Sequence, residues 1–250
     1  MGDDNPIAVP YPAASVLVIR EEKARLEVLM IERAKTMKFA PGAFVFPGGK
    51  VDKADSDSAV WHGLTNANED LPDFAFRVAA LRELYEEAGL LLTTGGCGAI
   101  NTQQTFREEI RAQSALLDLT AMTPFAHWVT PEGMPRRFDT LFFLVAHNGQ
   151  DVRHDGNEAI SYRWVSPKET LFEWDENRIP LMFPTRLNLM KLARAASVDE
   201  ALEQAKESTV IRTLPVIGRD ANGVKLTIDA ASGYEVTRAS DKELRVESPK

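Results

Sequence analysis

The most informative residues in the chain are three glutamates within five positions, Glu83, Glu86 and Glu87, preceded by Arg82. On a helix turning about 100° per residue they stand at i, i+3 and i+4, on one face. Val78, Leu81, Leu84, Tyr85 and Ala88 fall on the opposite side and supply a stripe that can be buried. Like charges so placed repel by a few tenths of a kcal/mol per exposed pair. A hard divalent cation reverses that sign, because such ions take carboxylate oxygens. Arg82, four residues before Glu86, can hold that carboxylate in place. An acidic face turned to solvent is the ordinary explanation for a pair of glutamates. The neighbouring segments argue for chemistry instead. Upstream lies Phe46-Pro47-Gly48-Gly49, whose glycines let backbone carbonyls approach an ion closely. Downstream, Trp164-Val165-Ser166-Pro167 reads as a strand entering a helix.

The acidic helix must be held by elements that the pattern also marks. Residues 15–20 and 26–32 are β-rich runs joined by a charged turn and read as a hairpin. Residues 43–46 form a short apolar run that Pro47-Gly48-Gly49 must end as a turn. From Asp73 the period becomes helical, through Phe76, Val78, Leu81 and Leu84 to a stop at Gly89. Thr105 and Glu108 form a capping box for a second helix. Strands are predicted over 125–130, 137–146 and 159–165. Ser166, Pro167 and Glu169 then open a helix. Further helices follow near 185–195 and 198–206, and two short strands near 210–217 and 224–228. The expected class is α+β, a mixed sheet sandwiched between helices, with extra C-terminal helices.

Composition excludes several alternatives. The 250 residues are 44% hydrophobic and 26% charged, which is globular rather than disordered. A net charge of −8 argues against broad nucleic-acid binding, which needs a basic footprint. It leaves room for a small phosphorylated ligand whose charge a metal ion can mask. The single cysteine, Cys97, excludes an intramolecular disulfide and a cysteine-based zinc site. No run approaches the ~18 apolar residues of a membrane span, and the first residues are acidic, so a cytoplasmic protein without membrane contact is expected.

The segment Arg82-Glu83-Leu84-Tyr85-Glu86-Glu87-Ala88-Gly89-Leu90 resembles the second half of the Nudix box, G-x5-E-x7-R-E-U-x-E-E-x-G-U, at seven specified positions in nine residues. The first half departs from it. Gly49 and Arg82 are 33 positions apart where the box has 14, so 19 residues are inserted. Asp52 and Asp73 are the candidates for the box's first acid. The enlarged loop is similar to that of a branch including the peroxisomal coenzyme A diphosphatases. Similar segments lie at 37–49, 128–131, 136–143 and 183–186, so the resemblance spans most of 14–200. It implies a single Nudix domain over 1–250, with its core at about 14–200, an inserted loop at about 50–73 and a C-terminal extension at about 200–250.

The resemblance further implies a metal-dependent pyrophosphohydrolase that cleaves a nucleoside diphosphate linked to another moiety. Glu86 and Glu87 would bind Mg²⁺ or Mn²⁺, with the Gly48 carbonyl completing the shell. Glu83 would be a further ligand or the general base, and Glu158, on the loop before the strand at 159–165, competes for the base role. Arg82 would orient Glu86. Arg33, Lys38, Arg136 and Arg137 are candidates for contact with substrate phosphates. Coenzyme A or acyl-CoA is the preferred substrate. The alternatives are ADP-ribose, NADH or a nucleotide sugar, or a catalytically silent nucleotide-binding module. The expected partner is thus a small molecule, with a homodimer as the candidate assembly. The inserted loop is expected to shape the entrance to the site, with Trp61, His62 and Leu64 packing on a ligand or on the domain body.

Overall fold

The computed structural model describes residues 7–34, 42–96, 98–101, 103–154, 159–221 and 223–240. The chain opens with strands β1 (Tyr11–Glu22) and β2 (Arg25–Arg33), joined by a two-residue turn at Lys23 and Ala24, both with positive φ. The hairpin pairs only near that turn, from Ile19↔Val28 to Glu22↔Arg25. Beyond it the two strands separate, and the segment that follows fills the gap. Strand β3 (Phe44–Val45) pairs with β2 at Ile31 and Glu32, and β4 (Gly48–Lys50) pairs with β1 from Ala13 to Ser15. The glycine pair expected to turn is therefore strand. Small residues make the approach possible: a Cβ on Gly48 would lie 2.4 Å from the Ala14 carbonyl oxygen.

A 3₁₀ turn (Lys53–Ser56) and the short helix α1 (Ser58–Trp61) lead to α2 (Phe74–Ala88), which ends at Gly89 with φ 63°, its N–H donating to the Tyr85 carbonyl at 2.9 Å. Helix α3 (Phe106–Ala112) carries the expected Thr105–Glu108 capping box. Strands β5 (Thr123–Val129), β6 (Phe138–Ala146) and β7 (Ala159–Val165) follow. β6 runs parallel to β1 over its whole length, β5 is antiparallel to β6, and β7 covers the other side of β2. Helices α4 (Pro167–Asp175), α5 (Phe183–Leu192) and α6 (Val198–Glu207) come next. Strand β8 (Arg212–Thr213) then joins β5, and a separate three-stranded sheet is made by β9 (Val216–Asp220), β10 (Gly223–Thr227) and β11 (Arg238–Ser240).

Alternate residues of β1 face opposite layers, as a period of two requires. Ala14, Val16 and Val18 join Val78, Leu81 and Leu84 of α2, whereas Leu17 and Ile19 join Leu187 and Leu189 of α5 and Ala201 and Ala205 of α6. The sheet is mixed and sandwiched between helices, the α+β class expected. Val78, Leu81 and Leu84 are at most 1% exposed, and at about 1.5–3 kcal/mol per buried side chain this stripe anchors α2 over β1 and β4. Among the described residues, no helix is long and apolar enough to cross a membrane.

The inserted segment is built into this body. Trp61 and Leu64 are buried, the Trp61 indole N–H donates to the Ala54 carbonyl at 2.7 Å, and its ring lies 5.9 Å from that of Phe106. Asn66 binds Asp118, Thr120 and the Leu119 N–H. His62 is exposed.

Candidate active site

The buried stripe of α2 fixes the rotation of the helix, and with it the face carrying Glu83, Glu86 and Glu87. That face looks onto β4. Glu87 is only 4% exposed, and its Oε2 accepts the Gly48 backbone N–H at 2.8 Å. Glu83 lies against Gly49 so closely that a Cβ there would meet the Glu83 carboxyl carbon at 2.4 Å. The two glycines thus allow two carboxylates to rest on the backbone itself.

Arg82 organises the remaining acids. Its Nη1 donates to Glu83 Oε1 at 2.8 Å and to Glu86 Oε2 at 3.0 Å, and its Nη2 donates to the Lys50 carbonyl at 2.9 Å. On its other side, Nε and Nη2 grip both oxygens of Asp55, at 3.2 and 3.0 Å. Asp55 is fully buried and also accepts the Asp52 N–H, closing the 3₁₀ turn that presents it. Burial alone would depress the Arg82 guanidinium. The Asp55 hydrogen bond and the charges of Glu83, Asp55 and Glu86 outweigh that and push its pKa up. Burial raises the Glu86 carboxyl above the usual carboxylate range, Arg82 opposes the shift, and Asp55 and Asp52 add to it.

Asp55 is the residue that motif reading missed. Asp73 stands at the N-terminal end of α2, and the exposed Asp52 stands 3.9 Å from Arg82, so neither grips Arg82 as Asp55 does. The signal was present, because six positions after Gly49, the interval from glycine to first acid in the box, is Asp55. The extra residues therefore lie between this acid and Arg82 and not before it, and the insertion starts later than position 50.

The structure brings Gly48, Arg82, Glu83, Glu86 and Glu87 together. Glu158 and Lys38 lie outside the described residues. Arg33, at the end of β2, is half-buried, and its backbone bonds to that of Gly42 and Ala43. Arg136 is exposed. Arg137, expected beside substrate, is instead buried, and its guanidinium donates to the carbonyls of Thr130 at 3.0 Å and Ala8 at 2.8 Å. It clasps the start of β1 to the turn before β6, because a buried guanidinium must find acceptors.

The donor chemistry suits a hard cation. Asp52, Asp55, Glu83 and Glu86 surround Arg82, and Glu87 rests on the Gly48 N–H beside them, which leaves an excess of carboxylate charge. Among the described residues, no three acidic, histidine or cysteine side chains stand together as a formed metal cage. Glu83 and Glu86 are drawn to Arg82 and Glu87 to the Gly48 N–H, so an arriving ion would compete with those partners.

The family model described as NUDT19 Nudix domain matches residues 65–192. The chain is 32% identical over 198 residues to putative nudix hydrolase 7 of Caenorhabditis elegans, covering 75% of this chain and 62% of that protein, less than two thirds of its length. It is 30% identical over 261 residues to the human acyl-coenzyme A diphosphatase NUDT19, covering 79% and 69%. Among solved structures, a NUDIX hydrolase from Alicyclobacillus acidocaldarius superposes with a TM-score of 0.66 at 30% identity, over 81% of this chain and 99% of that one. With the acidic face of α2 seated on Gly48 and Gly49, and with these relatives, the chain belongs to the Nudix hydrolase family.

Proposed function

We propose that the protein is a divalent-metal-dependent diphosphatase that hydrolyses coenzyme A or acyl-CoA at its phosphoanhydride. The observation that carries the reading is the seating of the α2 carboxylates on the β4 backbone, Glu87 on the Gly48 N–H and Glu83 against Gly49. The substrate preference is supported by relatives at 25–30% identity that bear the name acyl-coenzyme A diphosphatase NUDT19.

Glu86 and Glu87, with Glu83 and the Gly48 carbonyl, would hold Mg²⁺ or Mn²⁺. Such an ion supplies Lewis acidity toward the diphosphate oxygens and offsets their charge. The chain's own residues do the rest. Arg82 holds Glu83 and Glu86 side by side on one nitrogen and offsets their repulsion, and Asp55 keeps Arg82 in that position. Glu83 or Glu158 accepts the proton of the attacking water. Arg33, Lys38 and the exposed Arg136 are the candidates for phosphate contact.

The test is a product analysis of the purified protein with Mg²⁺ against coenzyme A, acetyl-CoA, ADP-ribose, NADH and nucleotide sugars, with and without chelator. Release of 3′,5′-ADP and phosphopantetheine, abolished by chelator, is the expected result. Faster turnover of ADP-ribose, NADH or a nucleotide sugar would overturn the substrate assignment. Tight binding without turnover of any of them would identify a nucleotide-binding module.

A further inference from the structure

Lys191 stands away from the α2 glutamates, on α5, and the reaction above does not use it. Its Nζ donates to the Phe125 carbonyl at 2.6 Å and sits 4.6 Å from the centre of the Phe125 ring. Both contacts come from β5 and hold the nitrogen still. Beside it is a small cleft between α5 and α6, floored by Ala195, Ala201 and Ala205 and rimmed by Gln204 and Ser208. The cleft has a volume of about 40 Å³, room for an acyl group of two or three heavy atoms and no more. The charged groups around it leave the amine without a carboxylate partner among the described residues. Arg194, just beyond the C-terminal end of α5, pairs with Glu235 at 3.2 Å, and Glu200 of α6 is bound by Gln204 at 2.9 Å. The side chain is half-buried and reachable from solvent.

We propose that Lys191 is a self-acylation site that takes small acyl groups from thioesters, with the acyl chain housed in the cleft over Ala195, Ala201 and Ala205. The neutral amine attacks the thioester carbonyl, a C–N bond forms and the C–S bond breaks. The amine proton passes through solvent to the departing thiolate, leaving an amide and a free thiol with no change of oxidation state. Burial, with the charge of Arg194, lowers the Lys191 pKa from 10.5 to about 8. This raises the share of neutral amine at pH 7.5 by roughly two orders of magnitude over an ordinary lysine. The Phe125 carbonyl takes one N–H and anchors the nitrogen at the edge of the cleft. The resulting amide keeps an N–H for the same carbonyl, so the modified state retains that hydrogen bond.

The experiment uses the full chain with S-acetyl-N-acetylcysteamine, a thioester without a diphosphate, so that failure of the hydrolase reading cannot affect it. Initial acetylation rates at Lys191 and at the exposed Lys168 and Lys206 are measured by peptide mass spectrometry. At pH 7.5 Lys191 is expected to react at least about tenfold faster than either, with its rate falling as pH drops below about 8. The octanoyl thioester should lose most of that advantage. Ala201→Leu, which fills the cleft, should slow Lys191 toward the rate of Lys206 while leaving Lys206 itself unchanged. A Lys191 rate equal to or below that of Lys206 in the unmodified chain overturns the proposal. So does an octanoyl advantage as large as the acetyl one, because the cleft would then play no part.

Discussion

Asp55 and Arg82, 27 positions apart in the chain, meet as a two-point pair, with Asp55 fully buried and the Arg82 side chain 14% exposed. The pair closes the insertion at its base and fixes the arginine from which Glu83 and Glu86 hang. Removing one partner of such a pair leaves an uncompensated buried charge and costs about 3–5 kcal/mol. Asp55→Asn is therefore expected to lower the melting temperature, to reduce kcat at least tenfold and to raise the Mg²⁺ concentration for half-maximal activity. The conservative Asp55→Glu should recover part of the metal requirement. A variant that melts lower but keeps the wild-type kcat and Mg²⁺ requirement would give Asp55 a purely structural role.

Metal dependence follows from the acidic face. Activity should vanish in chelator and return with Mg²⁺ or Mn²⁺. Glu86→Gln and Glu87→Gln should each lose orders of magnitude in kcat, since each replaces a charged donor by an amide of the same shape. Their melting temperatures should stay within a few degrees of wild type, because the amide oxygen introduced by Glu87→Gln can still accept the Gly48 N–H. Titration calorimetry with Mg²⁺ separates lost binding from lost chemistry, and unchanged turnover in either variant would move the site elsewhere.

The two glycines of β4 should respond differently to a methyl group. At Gly48 the added Cβ would meet the Ala14 carbonyl oxygen at 2.4 Å and the Ser15 Cα at 2.7 Å, which are backbone atoms that cannot yield without parting β4 from β1. Gly48→Ala is expected to destabilise the fold by several kcal/mol, in the range of overpacked or strained sites. At Gly49 the obstacle is the Glu83 carboxylate, which can swing aside. Gly49→Ala should therefore fold, with kcat reduced at least tenfold. Equal losses of stability in the two variants would contradict this division.

A pH effect is expected where β8 meets the main sheet. Asp139 on β6 binds His127 of β5 with Oδ1 and Arg212 of β8 with Oδ2 at 2.8 Å. Burial raises its pKa, but the hydrogen bonds to Arg212 and His127 and their charges prevail and hold it below 3.8. A carboxyl depressed in the folded state contributes stability that is present above pH 3.8 and lost as pH falls through the lower folded value. The stability difference between wild type and Asp139→Asn should accordingly be present at about pH 5 and shrink as pH falls below about 3.8. A difference that does not shrink at all below about pH 3.8 would mean the carboxylate charge is not what ties β8 down.

Much of this arrangement is legible in local sequence because its signals are local. The stripe at Val78, Leu81 and Leu84 and the stop at Gly89 define α2, and their period alone puts Glu83, Glu86 and Glu87 on the far face. Ser197 caps α6 as its position suggests, with Oγ accepting the Glu200 N–H at 3.2 Å. What escapes is whatever depends on a distant partner. Gly48 and Gly49 read as a turn because nothing nearby announces that β1 offers Ala13, Ala14 and Ser15 to pair with them. Arg137 reads as a substrate cation because its acceptor Ala8 lies 129 positions earlier. Asp55 was hidden by the length of the insertion, although its spacing from Gly49 is that of the family box.

The inserted segment should behave as a strut in one part and a tether in another. Trp61 is 3% exposed, packs on Phe106 and donates to the Ala54 carbonyl, one residue before Asp55. Truncating a buried tryptophan costs about 3–5 kcal/mol. Here it also frees the turn that presents Asp55 to Arg82, so the loss should spread from the insertion to the metal-binding face. Trp61→Phe keeps most of the buried area and loses only the indole donor, so it is the variant expected to remain folded. It should show a raised Mg²⁺ requirement, of the same kind as Asp55→Asn but smaller. Asn68, Glu69 and Asp70 are exposed, with Asn68 donating only to Asp70 at 3.0 Å among the side-chain bonds of this stretch. Replacing 68–70 by Gly-Ser-Gly should change stability by no more than the roughly ±0.5 kcal/mol typical of surface changes and leave kcat unchanged. A large loss of activity from that exposed replacement, with Trp61→Phe unchanged, would reverse the assignment and make the outer loop the part that meets substrate.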